Sequence, residues 1–196
     1  MIYEQSLFGR LIYFLEHQNR MVPLYRLDTQ YRMHPEIAAW PAKYFYNGNL
    51  KNGPNTKTET GLRPLVLINV KGKIESEEED KCHKYYNKSE ERVCMAAVDS
   101  VRELNKELNI GIITFYAEQK ENILKDLREG RKHQDMVNVN TVDSYQGSES
   151  DVIIISCVRT GPGSNIGFLN DKKRLNVALT RAKHCLIVIG DFHHLR

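Results

Sequence analysis

Apolar residues recur at helical spacing in some parts of the chain and run unbroken in others. Leu7, Leu11 and Leu15, with Phe8 and Ile12 beside them, set one face of an amphipathic leading helix within residues 1–20, from about residue 3 to residue 18. Pro23 ends any continuation, and residues 24–27 make a short strand. A second helix opens with Pro35 in its first turn, where the missing N–H costs nothing, and Pro41 predicts a kink or break a few residues in. Asn47-Gly48, Asn52-Gly53-Pro54 and Gly61 mark residues 47–63 as an irregular connection.

Residues 65–70 follow as a strand. Acidic residues 75–80 and the mildly basic stretch to Lys88 predict a flexible, solvated loop over 71–88. Ser89 caps the next helix, with Val93, Ala97, Val101, Leu104 and Leu108 along one face. Residues 110–115 form a strand, and 118–129 a helix with Ile123, Leu124 and Leu127 inward and Gly130 as its stop. Strands 137–142 and 152–158 are separated by only nine residues, too few for an ordinary crossover helix. Either those strands are not adjacent and parallel, or their connection is unusually compact.

Residues 170–183 read as one helix running into a final strand at 185–189. Leu175, Ala178, Leu179 and Ala182 form its apolar stripe, and Arg174 and Arg181, seven apart, fall within about 20° of each other on its edge. The plain interpretation is an amphipathic helix with two solvated arginines. Alternating helices and apolar strands argue for an α/β layered domain with a mainly parallel sheet.

Composition narrows this only slightly. With 41% apolar residues, 196 residues suffice for a core, and a formal charge of +3 neither demands nor excludes a nucleic-acid partner. The four cysteines form no C-x-x-C pair, and Cys157 and Cys185 sit in apolar runs, which favours a reducing, intracellular compartment, cytoplasmic or nuclear. Cys82-His83 and His184-Cys185 lack the tighter paired spacing of a structural zinc site, so no metal site is expected. No run approaches a membrane span, and the first residues do not form a secretory signal, so no membrane partner is expected.

In such a sheet ligands bind at the carboxyl ends of strands, and three motifs are expected there. Tyr31-Arg32 offers a flat ring and a planar cation, the types that stack on a base and grip a phosphate. Residues 141–149 contain Gly147, which lets a backbone approach a ligand, and Glu149, an acceptor for sugar hydroxyls. The helix with Arg174 and Arg181 is the third. Taken singly, each is explained first by a plainer role: Tyr31 as a core aromatic, Arg32 in a salt bridge and Gly147 as a turn residue.

The combination is more specific. Gln30-Tyr31-Arg32-Met33-His34-Pro35, Thr114-Phe115-Tyr116 with Gln119, Val142-Asp143-Ser144-Tyr145-Gln146-Gly147-Ser148-Glu149 and Arg174-Leu175-Asn176-Val177-Ala178-Leu179-Thr180-Arg181-Ala182 occur in this order. The chain resembles, over essentially all of 1–196, the second RecA-like domain of superfamily one helicases, in the up-frameshift and senataxin-like branch. The resemblance implies a single α/β RecA-like domain, a three-layer sandwich with a mainly parallel sheet. It further implies that Tyr31 stacks on the adenine of ATP and that Arg32 and Arg181 reach the γ-phosphate as catalytic groups. Glu149 and Gly147 would contact the ribose or phosphates, with Arg174 in support. Thr114, Tyr116 and Thr141 would hold the backbone of single-stranded RNA or DNA, and Gln146 would couple the two sites. His34 reads as structural. Phe115 departs from the proline frequent in the family.

No G-x-x-x-x-G-K-[ST] loop and no Asp-Glu pair for Mg²⁺ occurs in these residues. Both belong to the first RecA-like domain, the partner that the resemblance implies within the same polypeptide, so the chain alone is expected to hydrolyse no ATP at a useful rate. The competing expectation, from another class, is a non-catalytic nucleic-acid or protein-binding module on a degenerate helicase fold.

Overall fold

β-branched runs with no polar interruption are suited to strands covered on both faces, and three such runs become the middle of a sheet. The structure is a computed structural model that describes residues 6–18, 25, 27–57, 59–71, 75–79, 82–130, 136–159 and 166–194. In chain order its elements are α1 (Leu7–His17), β1 (Thr29–Gln30), α2 (Pro35–Phe45), β2 (Lys51–Asn52), β3 (Leu65–Asn69), β4 (Glu75–Glu79), β5 (Cys82–Tyr86) and α3 (Lys88–Leu104). There follow β6 (Ile110–Thr114), α4 (Ala117–Glu129), β7 (Val137–Thr141), β8 (Ser150–Ser156), α5 (Lys172–Leu179) and β9 (Ala182–Gly190), with a 3-10 turn over Gly167–Asn170. The main sheet is parallel throughout, in the order β3-β9-β8-β6-β7.

The pleat sorts alternate residues to opposite faces. Ile113, Ile153, Ile155, Leu186 and Val188 join Met33, just before α2, and Ile37, Ala38 and Ala178 from α2 and α5 in one core. Ile110, Ile112, Val152, Ile154, Cys185, Ile187 and Ile189 join Val98, Val101, Ile123 and Leu127 from α3 and α4 in the other. Helices on both faces of a parallel sheet make the expected three layers.

Several boundaries differ from the sequence expectation. The leading helix is shorter, with Ser6 as its cap, and none of its residues is buried; residues 1–5, 19 and 20 lie outside the described ones. Within 24–27, Tyr25 and Leu27 are irregular, and the strand is Thr29–Gln30, paired with β2. α2 runs on through Pro41 without a break. Asn87, not Ser89, caps α3 through its side-chain oxygen, and the helix stops at Leu104. The region 71–88 is not simply a loop: β4 and β5 pair antiparallel, and Tyr85 packs edge-on to Tyr116 at 5.6 Å. Its charge run hid the ladder, because backbone pairing needs no apolar pattern. The helix expected over 170–183 ends at Leu179, so Arg181 lies between α5 and β9 and shares no helical edge with Arg174.

Where β8 leaves the sheet, a buried polar cluster replaces apolar packing. Glu90, fully buried, accepts from Ser156 Oγ at 2.7 Å and from Val158 N–H at 2.8 Å. Gln119 bridges Asn87 and Ser156, and Asn87 Nδ2 donates to Val158 O. These bonds hold Val158 at φ 64°, a left-handed conformation that a β-branched residue otherwise avoids.

The nine-residue puzzle is resolved by topology. β7 and β8 are not neighbours; β6 lies between them, and the link of residues 142–149 crosses its face. Tyr145, buried in that link, donates or accepts a 2.6 Å hydrogen bond with Ser150 Oγ. A Cβ on Gly111 of β6 would sit 2.1 Å from the Tyr145 hydroxyl and 2.8 Å from Ile153. The link crosses β6 where that strand has no side chain. Gly111→Val is therefore expected to overpack the crossing and to destabilise the fold by about 1–3 kcal/mol, read as a lowered urea midpoint. An unchanged midpoint would show that the link moves aside freely.

Candidate functional site

The Gln30 side chain shapes the turn that carries the first motif. Its Oε1 accepts from Arg32 N–H at 2.9 Å and Met33 N–H at 2.7 Å, and its Nε2 donates to Met33 O and to Asn52 Oδ1. The Tyr31 ring lies against Gly53, where a Cβ would come within 2.3 Å of it. One face thus rests on glycine backbone, and the residue stays 70% exposed. His34 caps α2, its Nδ1 accepting from Glu36 N–H, so its role here is structural.

Arg32 points the other way. Its Nε donates to Glu149 Oε2 and its Nη1 to Thr180 O at 3.1 Å. Arg181 donates from Nε to Val177 O at 3.0 Å and from Nη2 to Thr180 Oγ1 at 2.8 Å. Both line one cavity of about 510 Å³ with Tyr31, Glu149, Thr180, Lys183 and His184. A register shift between β8 and β9, from Ser150↔Ala182 to Val152↔Cys185, gives β9 an extra residue and brings Lys183 and His184 to the cavity wall.

Three cationic side chains, Arg32, Arg181 and Lys183, face two carboxylates: Glu149, paired with Arg32 and with Lys183 at 3.5 Å, and Asp151, 3.6 Å from Lys183. Burial first, then the like charge of Arg32, pulls the Arg181 guanidinium below its ordinary range, although it stays protonated at any physiological pH. Among the described residues, Arg32 Nη2 and Arg181 Nη1 have no protein acceptor. The arrangement suits an anion with several oxygens, beside a ring open on one face. No three His, Cys, Asp or Glu residues gather as a metal site among the described residues.

The expectation that all three motifs sit at carboxyl strand ends needs correction. Glu149 and Arg181 immediately precede β8 and β9, so the cavity lies at the amino edge of the sheet. The motifs are long enough to span the sheet, and only their far ends reach the carboxyl edge. Arg174 is there, outside the cavity lining, bound through Nε and Nη2 to Asp143. Gly147 also lies outside the lining; its φ of 87° is a left-handed turn conformation that favours glycine, and the space beside it is open. Gln146 is exposed on the same link.

Thr141 stands at the carboxyl edge, its Oγ1 donating to Ser144 Oγ. Thr114 is fully buried and Tyr116 only 7% exposed. The Tyr116 hydroxyl accepts from Phe168 N–H, and Gly167 packs against it. Both residues are buried, Thr114 within β6 and the Tyr116 ring between Tyr85 and Phe168. Gln30, Gly53, Thr180, Lys183 and His184 escaped notice as site residues. Gln30 opens a recognised motif and was within reach; the bulge and the 22-residue span to Asn52 leave no local trace.

The Glu149 carboxyl is held below its usual range, first by the hydrogen bond from Arg32. A depressed carboxyl contributes stability that is present above the unfolded value near 4.3 and lost as pH falls through the folded value. With Arg32 31% and Glu149 42% exposed, the contribution is at most about 1 kcal/mol. The melting difference between wild type and Glu149→Gln is expected to be constant from pH 8 to about pH 5 and to shrink below about pH 4. A difference that instead grows on acidification would remove the ion pair from this account.

Residues 3–193 match the family described as AAA domain. Probable helicase senataxin of Mus musculus is 38% identical over 99% of this chain and 8% of its own length. Helicase SEN1 of Saccharomyces cerevisiae is 38% identical over 96% of the chain and 9% of its length. ATP-dependent helicase NAM7 of the same yeast is 37% identical over 96% and 20%. The chain spans less than a tenth of the first of these relatives and a fifth of the last. The C-terminal domain of a possible DNA helicase from Lactobacillus plantarum superposes with TM-score 0.52 at 12% identity, over 82% of this chain and 87% of that one, a likeness of fold. On the ordered motifs and a family match over nearly the whole sequence, the chain belongs to the AAA domain family, in the up-frameshift and senataxin branch of superfamily one helicases.

Proposed function

We propose that this chain is the second motor domain of an ATP-dependent helicase or translocase, working with a phosphate-loop domain of the same polypeptide on single-stranded RNA or DNA. The observation that carries the reading is the pair of guanidinium groups, Arg32 and Arg181, in one cavity at the amino edge with N–H groups to spare. Two cations held together repel until an anion joins them, and a nucleotide's phosphates supply it. Tyr31, backed by Gly53, offers its exposed face to the adenine, and Glu149 is placed for a sugar hydroxyl while it steadies Arg32. ATP would bring Mg²⁺ held by carboxylates of the other domain. The charge neutralisation that phosphoryl transfer requires then comes from this wall of the cleft as the domains close. Nucleic acid belongs at the opposite edge, around Thr141, with Thr114 and Tyr116 as buried supports. Three buried free thiols suit a reducing compartment, cytoplasmic or nuclear.

The test uses a polypeptide that joins this chain to its phosphate-loop domain. Arg181→Ala is expected to lower kcat for ATP by about 10³-fold or more while melting is little changed. Arg181→Lys should recover little of it, because an ammonium lacks the planar fork. Normal turnover in Arg181→Ala would reduce the chain to a binding module.

A further inference from the structure

Two segments run from the carboxyl edge of the sheet to its amino edge. One is the link that contains Asp143 and ends at Glu149; the other is α5, from Arg174 near its start to Thr180 just past its end. At the amino edge Arg32 joins them, donating to Glu149 and to Thr180 O. At the carboxyl edge Asp143 and Arg174 join them, by two parallel bonds of 3.0 Å, Nε to Oδ1 and Nη2 to Oδ2. The Arg174 guanidinium also lies over the Phe168 ring at 4.4 Å. Such a fork-to-fork pair fixes direction as well as distance. The result is a closed frame: two struts, with an arginine clamp at each end.

We infer that the Asp143–Arg174 pair transmits occupancy of the carboxyl edge by single-stranded nucleic acid to the nucleotide cleft, and that Arg174 is a positioning residue rather than a nucleotide contact. This rests on the motor-domain reading above. Asp143 follows Thr141 by two residues, so a phosphate backbone seated on Thr141 displaces the near end of the link. With the pair closed, the link and α5 shift together, and Glu149 and Arg181 are repositioned in one step. With it open, each strut moves alone, and Glu149 shifts without Arg181. Phe168 lies beneath the guanidinium, 4.4 Å from its carbon, and backs the fork that meets Asp143. The pair is 31% and 63% exposed on its two sides, and an ion pair so placed contributes little to stability. Its geometry is better suited to alignment than to holding the fold together.

In the two-domain polypeptide, ATP turnover is measured without nucleic acid and with saturating single-stranded RNA. Asp143→Asn is expected to leave unstimulated turnover, KM for ATP and melting close to wild type while reducing stimulation by roughly five- to tenfold, the range of a modest coupling. Arg174→Gln should lose the same stimulation, and the two changes combined should lose no more than either alone. Exchanging the charges, with Asp143→Arg and Arg174→Asp in one chain, should restore most of it. Full stimulation in Asp143→Asn overturns the latch alone. So does a raised KM for ATP in Arg174→Gln with Asp143→Asn unaffected, which would return Arg174 to the nucleotide. Turnover that RNA does not stimulate in the unmodified protein overturns the motor reading and the latch with it.

Discussion

The passage of an eight-residue link beneath β6 constrains most of what this domain can do. A parallel pair usually needs a dozen or more residues to return from one edge of the sheet to the other. Here residues 142–149 make the return with strand β6 between the two strands that they join, and they do so because Gly111 leaves a gap that Tyr145 fills. The link is short and pinned at its middle by a buried ring. Its two ends, Thr141 with Asp143 and Glu149, are therefore held at opposite edges with little slack.

That geometry assigns the edges different chemistry. At the amino edge, Arg32, Arg181 and Lys183 stand against Glu149 and Asp151, an excess of one positive charge that an anion would balance. At the carboxyl edge the residues nearest Thr141 are enclosed: Thr114 is sealed in the sheet, and Tyr116 lies between Tyr85 and Phe168. A cationic cavity at one edge and packed aromatic rings at the other give the two edges different surfaces. Open α/β sheets usually take ligands at their carboxyl ends, whereas the cationic cavity of this domain lies at the amino edge.

The fold was legible to the extent that burial writes a pattern. Unbroken runs at 110–115, 152–158 and 185–189 marked the central strands, and α3 and α4 followed from spacing. What depends on backbone pairing without apolar periodicity was not legible: the β4–β5 hairpin among charged residues, and the shift between β8 and β9 that turns Lys183 and His184 to the cavity. Tyr31, Arg32, Glu149 and Arg181 were named as a group by ordered motifs, and the structure brings them to one cavity. Arg174 was grouped with Arg181 by counting along a helix that stops two residues too early. Thr180 accepts no further turn: its Oγ1 bonds back to Asn176 O, and the chain enters β9 almost at once.

The exit of β8 completes the reasoning about order at the carboxyl edge. A buried carboxylate is costly unless its oxygens are filled; Oε2 of Glu90 accepts from Ser156 Oγ and Val158 N–H, and Oε1 from Asn87 Nδ2. An N-terminal helical position helps, because the first turn of α3 presents partial positive charge to it. The same bonds hold Val158 at a positive φ that its branched side chain resists, so the chain is turned out of the sheet by polar pairing and not by a glycine. Arg159 emerges directly after this turn, 4.4 Å above the Tyr85 ring. From there Tyr85, Tyr116, Phe168 and Arg174 follow in contact. A row that begins at a backbone turn set by Glu90 and ends on the Asp143 carboxylate ties the exit of β8 to the start of the link. The rigidity of the carboxyl edge thus depends on a buried acid in α3, far in sequence from every motif that marks the site.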